Sequence, residues 1–202
     1  MIKRVYKVVT TDKPDWDKIP KAYIDVFPWG GYYKPVSYGQ VAFVPGQGFA
    51  VRLTSFESEP LAIYTEYGEP VYRDSALEFF VAFNNKLPYY VNFETNSNGA
   101  LLAARRTCRE DKVPLDKLID INKIRIKARR EYDRWYVEYM IPLDVIQELF
   151  KKSKFPSGYV FHGNFYKCGD DTEFPHHGVF ESPGTAMPDF HRPENFAELI
   201  ME

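Results

Sequence analysis

Apolar and polar residues alternate along residues 71–83 (VYRDSALEFFVAF). Ser75, Leu77, Phe79, Val81 and Phe83 fall on one side, Ala76, Glu78, Phe80 and Ala82 on the other. A period of two is that of a β-strand, whose side chains point to opposite faces in turn. Residues 89–96 (YYVNFETN) alternate as well, Tyr89, Val91, Phe93 and Thr95 against Tyr90, Asn92, Glu94 and Asn96. The intervening NNKLP, residues 84–88, has turn chemistry and predicts a hairpin. Glu78 is then a carboxylate on an otherwise apolar face, and the next strand can offer Asn92, Glu94 and Asn96 beside it. Amides and carboxylates fixed on a stiff sheet suit polyhydroxylated ligands.

The rest of the chain carries the same kind of signal. Residues 2–10 read as a strand, placed at an edge, and residues 27–35 (FPWGGYYKP) as an aromatic loop between Gly and Pro. Residues 40–44 and 48–56 read as paired strands around Pro45–Gly48, and residues 61–67 as a further strand. A turn at Ser97-Asn98-Gly99 leads into a strand over 100–106. Residues 124–129 alternate Ile124, Ile126 and Ala128 with Arg125, Lys127 and Arg129, and pair with 135–141 (WYVEYMI). Residues 142–152 (PLDVIQELFKK) predict a helix: Pro near its start, Lys at its end, and Val145, Ile146, Leu149 and Phe150 on one face. A last long strand runs over 159–168. Many short strands and one short helix imply an all-β chain folded as a β-sandwich, a single domain over residues 1–202. The register puts Leu77, Phe79, Val81, Phe83, Val91, Phe93, Val137 and Ile141 on the inner face.

Composition narrows the function. The 202 residues include 15 Tyr and 16 Phe, types that favour strands and serve as platforms for sugar rings. A net charge of −2 disfavours nucleic acid as a partner, because phosphate binding needs a basic excess. The one basic stretch, residues 105–134, has 11 Lys/Arg against 6 Asp/Glu and reads as the solvated side of two strands. No run approaches the ~20 apolar residues that span a bilayer, so no membrane partner is expected. No signal peptide is visible, which places the protein in the cytoplasm if Met1 is the native start. Oligomeric state is not encoded in any visible pattern.

Candidate chemistry is sparse. His162, His176, His177 and His191 lie in the last fifth of the chain near Cys168, Asp170, Asp171 and Glu173. Their spacing matches no familiar transition-metal pattern. They are expected to hold the loop over residues 169–193 against the sheet, with no cofactor, although aspartate oxygens could accept Ca²⁺. Cys108 and Cys168 are too few for a disulfide framework. No catalytic nucleophile motif occurs. Glycosidic hydrolysis would need two carboxylates about 5–10 Å apart, for which Glu78 and Glu94 are candidates.

Ordered blocks in this sequence resemble the family 9 carbohydrate-binding modules. They are Asp74-Ser75-Ala76-Leu77-Glu78-Phe79-Phe80, residues 90–96 (YVNFETN), Trp135-Tyr136-Val137-Glu138 with Ile141-Pro142, residues 163–168 (GNFYKC) and residues 188–196 (PDFHRPENF). The resemblance implies a DOMON-type β-sandwich that binds one or two sugar units, of xylan or glucan origin, at a chain's reducing end between two aromatic rings. Those rings would be Tyr72 and Phe190, where the family has tryptophans. The family's sugar-binding Glu falls on Glu78. Tyr166 stands where the family has a Gln and Tyr90 where it has an Arg. The expected ligand-binding set is therefore Tyr72, Glu78, Tyr90, Asn92, Tyr166, Phe190 and His191, with no catalytic residue. The alternatives are a small glycoside hydrolase using Glu78 and a second carboxylate, or a degenerate interaction domain.

Overall fold

The computed structural model describes residues 3–202. Its strands in chain order are β1 (Val5–Thr10), β2 (Ala22–Tyr23), β3 (Ser37–Val44), β4 (Gly48–Ser55), β5 (Ala76–Ala82), β6 (Tyr90–Asn96) and β7 (Leu101–Arg106). They continue with β8 (Lys112–Pro114), β9 (Lys127–Arg130), β10 (Trp135–Pro142), β11 (Val160–Gly169), β12 (His176–Val179) and β13 (Ala197–Met201). The helix α1 (Leu143–Phe150) follows β10.

Hydrogen bonding runs in the order β8-β7-β6-β5-β11-β13-β1-β3-β4-β10-β9, with β12 on β11 and β2 on β3. The path curls into two layers, and β1 belongs to both. Its first four residues pair in parallel with β13 and its last two pair in parallel with β3. This is the expected β-sandwich, but β1 is the seam between the layers and not an edge. Ile2, the first residue of the predicted strand, lies outside the described residues.

The core between the layers is aromatic. Leu77, Phe79, Val81, Phe83, Val91, Phe93, Val137 and Ile141 are all buried in it, as their alternation requires. Phe79 stacks on Phe165 of β11, centroids 4.8 Å apart and 17° between planes. Gly39 in β3 makes room for that pair: a Cβ there would lie 2.1 Å from Phe165 Cδ1. The helix buries Val145, Ile146, Leu149 and Phe150 against the open end of the core. Its last carbonyls, left without intrahelical donors, accept from Tyr89 Oη (at Leu149 O, 2.8 Å) and Asn84 Nδ2 (at Phe150 O, 2.9 Å). The hairpin loop and the helix end are thereby tied together.

One predicted strand is absent and another is shifted along the chain. Residues 61–67 are irregular, because Asp74 Oδ2 takes the Ile63 and Tyr64 amides and Leu61 O takes the Ser75 amide. The strand expected over residues 124–129 pairs with β10 as read, but it runs over Lys127–Arg130, and Ile124 and Ile126 lie between it and a 3-10 turn at Ile121–Lys123. In the C-terminal stretch expected to be a loop, β12 adds antiparallel to β11. No helix among the described residues is long and apolar enough to cross a membrane.

Candidate functional site

The outer face of the β6-β5-β11 layer is the place where the second set of alternating residues goes. Ala76, Phe80, Tyr90, Tyr166 and Cys168 emerge there and meet Val179, Phe190 and Phe196 from the C-terminal segment in a smaller apolar cluster. That segment covers one part of the face and leaves the other as a cleft of about 400 Å³. Tyr72, Glu78, Glu94, Arg106, Phe190 and His191 are among its lining residues.

Register explains the floor. Glu78 stands directly opposite Glu94 on β6 and opposite Tyr166 on β11. The two carboxyl residues are only 2% and 3% exposed. Glu78 Oε1 accepts from the Cys168 thiol at 3.0 Å, and Glu94 Oε1 accepts from Asn92 Nδ2 at 2.9 Å. Arg106 Nε donates to Asn92 Oδ1 at 2.9 Å, which fixes the amide with its NH₂ toward Glu94. Burial, then the charge of Glu94, pushes the Glu78 carboxyl well above the ordinary range. Burial also raises Glu94, to about 7, against the pull of Arg106 and Lys112. Burial and the adjoining Glu78 keep Cys168 a thiol, so it serves as a donor and not as a nucleophile.

The walls are aromatic. Tyr72, in a 3-10 turn at Val71–Arg73 before β5, is 37% exposed. Phe190 is 8% exposed and lies flat on Tyr166, centroids 4.3 Å apart and 13° between planes. Tyr166 Oη donates to Phe190 O at 3.0 Å, so one tyrosine holds both the ring and the backbone of the loop. His191 meets the Tyr90 hydroxyl through Nδ1 at 2.8 Å and stacks on Phe80. Burial, then Arg106 and Arg109, lowers its imidazole to about 3, so it is neutral.

Of the seven residues expected to bind ligand, the structure brings Tyr72, Glu78, Phe190 and His191 to the cleft surface. Tyr90, Asn92 and Tyr166 are fully buried behind it. Alternation put them on the correct face, but the C-terminal segment seals that face at their positions. They orient His191, Glu94 and Phe190 instead. The polar residues that sequence reasoning did not place in the site include Arg106, Arg109, Lys112, Asp170, His177 and Asp189. Arg106 was legible, since it shares a face of β7 with Leu102 and Ala104; the loop residues were not, nor were Lys112 in β8 and His177 in β12, two short strands that the pattern does not predict.

The Asp-Ser half of the Asp74–Phe80 block is structural. Besides the two amides, Asp74 Oδ2 accepts from Asn96 Nδ2 at 2.8 Å. Ser75 joins a buried network in which Glu57 Oε2 accepts from Ser75, Ser55 and Trp135 Nε1 at 2.8, 2.8 and 2.9 Å. Lys167 Nζ lies 3.4 Å from that oxygen and donates to Ser75 Oγ and His176 Nε2. Because His176 Nε2 accepts, its Nδ1 carries the hydrogen and donates to Phe174 O. His177 pairs with Asp170 at 2.9 Å and His162 with Asn85 at 2.9 Å. Among the described residues no group of three or more His, Cys, Asp or Glu is arranged to hold a metal ion. Both cysteines are free, Cys108 exposed and Cys168 buried.

A family model described as carbohydrate-binding family 9 matches residues 11–201. None of the curated proteins matches the sequence. Solved structures with the same fold include a candidate carbohydrate-binding protein of Bacteroides uniformis, 23% identical, with a TM-score of 0.83 over 100% of both chains. A family 9 carbohydrate-binding module from Caldicellulosiruptor kristjanssonii in complex with cellotriose is 13% identical, with a TM-score of 0.70 over 98% of this chain and 94% of that one. The module from that organism in complex with glucose gives a TM-score of 0.68 at 13% identity, over 98% and 96% of the chains.

Proposed function

The chain belongs to carbohydrate-binding family 9, and on that premise we propose that it binds a saccharide, without cleaving it, in the cleft between Tyr72 and Phe190. The observation that carries this reading is the composition of one cavity: two aromatic walls over a floor of buried, hydrogen-bonded carboxyl groups. The C–H faces of a pyranose pack on aromatic rings, and its hydroxyls pair with carboxyl oxygens. The cellotriose and glucose complexes of the Caldicellulosiruptor module support a glucan-type ligand. Xylan-derived chains, which present the same pyranose backbone without the hydroxymethyl group, are the second class.

Turnover is disfavoured by placement. A glycosidase sets its two carboxyls on either side of the scissile bond. Glu78 and Glu94 face each other across adjacent strands and rise from the same floor.

The test is a glycan array followed by calorimetry with cellotriose and xylotriose. Binding should disappear in Tyr72→Ala, whose exposed ring can be removed without unfolding the protein. Glu78→Leu, which removes both carboxyl oxygens, should weaken it by about 1–3 kcal/mol, the range for losing a hydrogen bond and leaving its partner unsatisfied. Failure of the wild-type protein to retain any glycan would reject the reading, as would release of sugar from aryl-xylosides or xylo-oligosaccharides for its non-catalytic part.

A further inference from the structure

Glu78 is the carboxyl that the family resemblance assigns to sugar. The cleft holds a second one. Glu94 lies opposite it in register, is equally buried and lines the same cavity. Each carboxyl has Oε1 occupied by one protein donor, Cys168 for Glu78 and Asn92 for Glu94. Among the described residues neither Oε2 has a hydrogen-bond partner, and neither is sealed from the cavity. Two buried carboxyl groups therefore present one unused oxygen each to the same space. Directly opposed residues on antiparallel strands have Cβ atoms about 5 Å apart, a spacing that suits two neighbouring hydroxyls of one ring.

We propose that Glu94 is a ligand-contacting residue paired with Glu78, so that the two read adjacent hydroxyls of a pyranose, Glu78 as O–H donor and Glu94 as acceptor. The assignment of roles follows from the surroundings. Arg106 on β7 and Lys112 on β8 favour the ionised form of Glu94. Glu78 faces Cys168 and Tyr166 on β11, with Asp170 also raising it, and the pull of Arg106 on it is the weakest of these influences. Lys167, on the other side of β11, is taken up by Glu57, Ser75 and His176. Asp189 is paired with Arg109, Asp170 with His177, and His191 is neutral, so none of them supplies a proton to the floor. Two like carboxyls at this distance do not both ionise readily, and the member without a close cation keeps its proton.

The proposal rests on the carbohydrate-binding reading, and the experiment separates the two. Cellotriose and xylotriose are titrated at pH 7 into wild type, Tyr72→Ala, Glu94→Leu and Glu94→Gln, each checked for folding by circular dichroism. Glu94→Leu should bind at least tenfold more weakly, and Glu94→Gln, which keeps an acceptor oxygen, should stay within a few-fold of wild type. Binding that is lost in Tyr72→Ala but unchanged in Glu94→Leu overturns the role of Glu94 and leaves the general reading standing. Absence of binding in the wild type overturns both. A second measurement needs neither sugar nor a stable variant: the carboxyl carbons of ¹³C-glutamate-labelled wild type followed from pH 4 to 9. The Glu78 carbon should remain in its protonated position at pH 7, and its titration with the surface glutamates below pH 5 overturns the donor role.

Discussion

Replacing Glu94 by Gln should stabilise the protein, and increasingly so as pH rises. Glu94 is wholly buried, and its carboxyl is raised from 4.5 to about 7. A raised folded-state value means that the native state holds the proton more tightly than the unfolded chain does. Its contribution is fully present below the unfolded value and is lost as pH rises through the folded one. As pH rises from 4.5 through about 7 the wild type therefore gives up what Gln, always neutral, does not. The gap between 4.5 and about 7, at about 1.4 kcal/mol per tenfold, is worth about 3 kcal/mol. The repulsion that raises Glu78 disappears in the same variant and adds with the same sign. Guanidinium unfolding of both proteins at a series of pH values reads the difference directly. His176 and His191, lowered to about 4 and about 3, make both proteins less stable as pH falls below their unfolded values, so they drop out of the difference. A stability difference that stays flat within about 0.5 kcal/mol across that range, or that shrinks with pH, would refute the argument.

Phe79→Ala should cost about 3–5 kcal/mol in urea unfolding, because the side chain is fully buried and stacked on Phe165; a loss below about 1 kcal/mol would mean that the inner face has been misread. Lys167→Ala leaves Glu57 buried at the centre of the Ser55, Ser75 and Trp135 donors without its cation. Breaking one side of such a pair costs about 3–5 kcal/mol, and a variant as stable as wild type would show the network to be dispensable. The ring resonances of His191 should not titrate between pH 5 and 8, since burial and the nearby arginines hold it to about 3; a midpoint near the ordinary histidine value would show that the C-terminal segment lifts off the sheet in solution.

Alternation was legible wherever one strand face meets the core and the other does not. It placed Leu77, Phe79 and Val81 inward and Ala76, Glu78 and Phe80 outward, and both faces are as read. It failed where local polar groups compete for the backbone. Asp74 captures the amides of residues 63 and 64, so an apolar run that reads as a strand never joins a ladder. The seam position of β1 was illegible because parallel pairing with β13 and β3 is set by the ends of the chain meeting, and no short pattern encodes that. Lys167 was the missed clue to the buried network. A lysine inside GNFYKC has no reason to be there unless a carboxylate waits for it, and Glu57 lies more than a hundred positions upstream. The cleft was legible in part: its floor comes from strands, whereas Arg109, Asp170, His177 and Asp189 arrive on segments whose course the pattern does not fix.

The two faces of β5 and β6 now have different physical economies. On the inner face every side chain contributes to stability, and a change there reaches the cleft only by loosening the strands. On the outer face Glu78 and Glu94 do the opposite: held out of water and against each other, they reduce stability whenever they are charged. A fold with no ligand to meet would be better served by an amide or an apolar residue at either position. Local choices that work against the fold mark functional sites, because there the requirement is set by something other than folding. Here the opposition has a measurable form. Substituting Glu94 with Leu should raise stability at pH 8 and lower sugar affinity together, whereas a purely structural residue would move the two in the same direction. The carboxyl pair is thus the part of the cleft whose chemistry answers to the ligand, and the aromatic walls, which pack as well as they stack, answer to both.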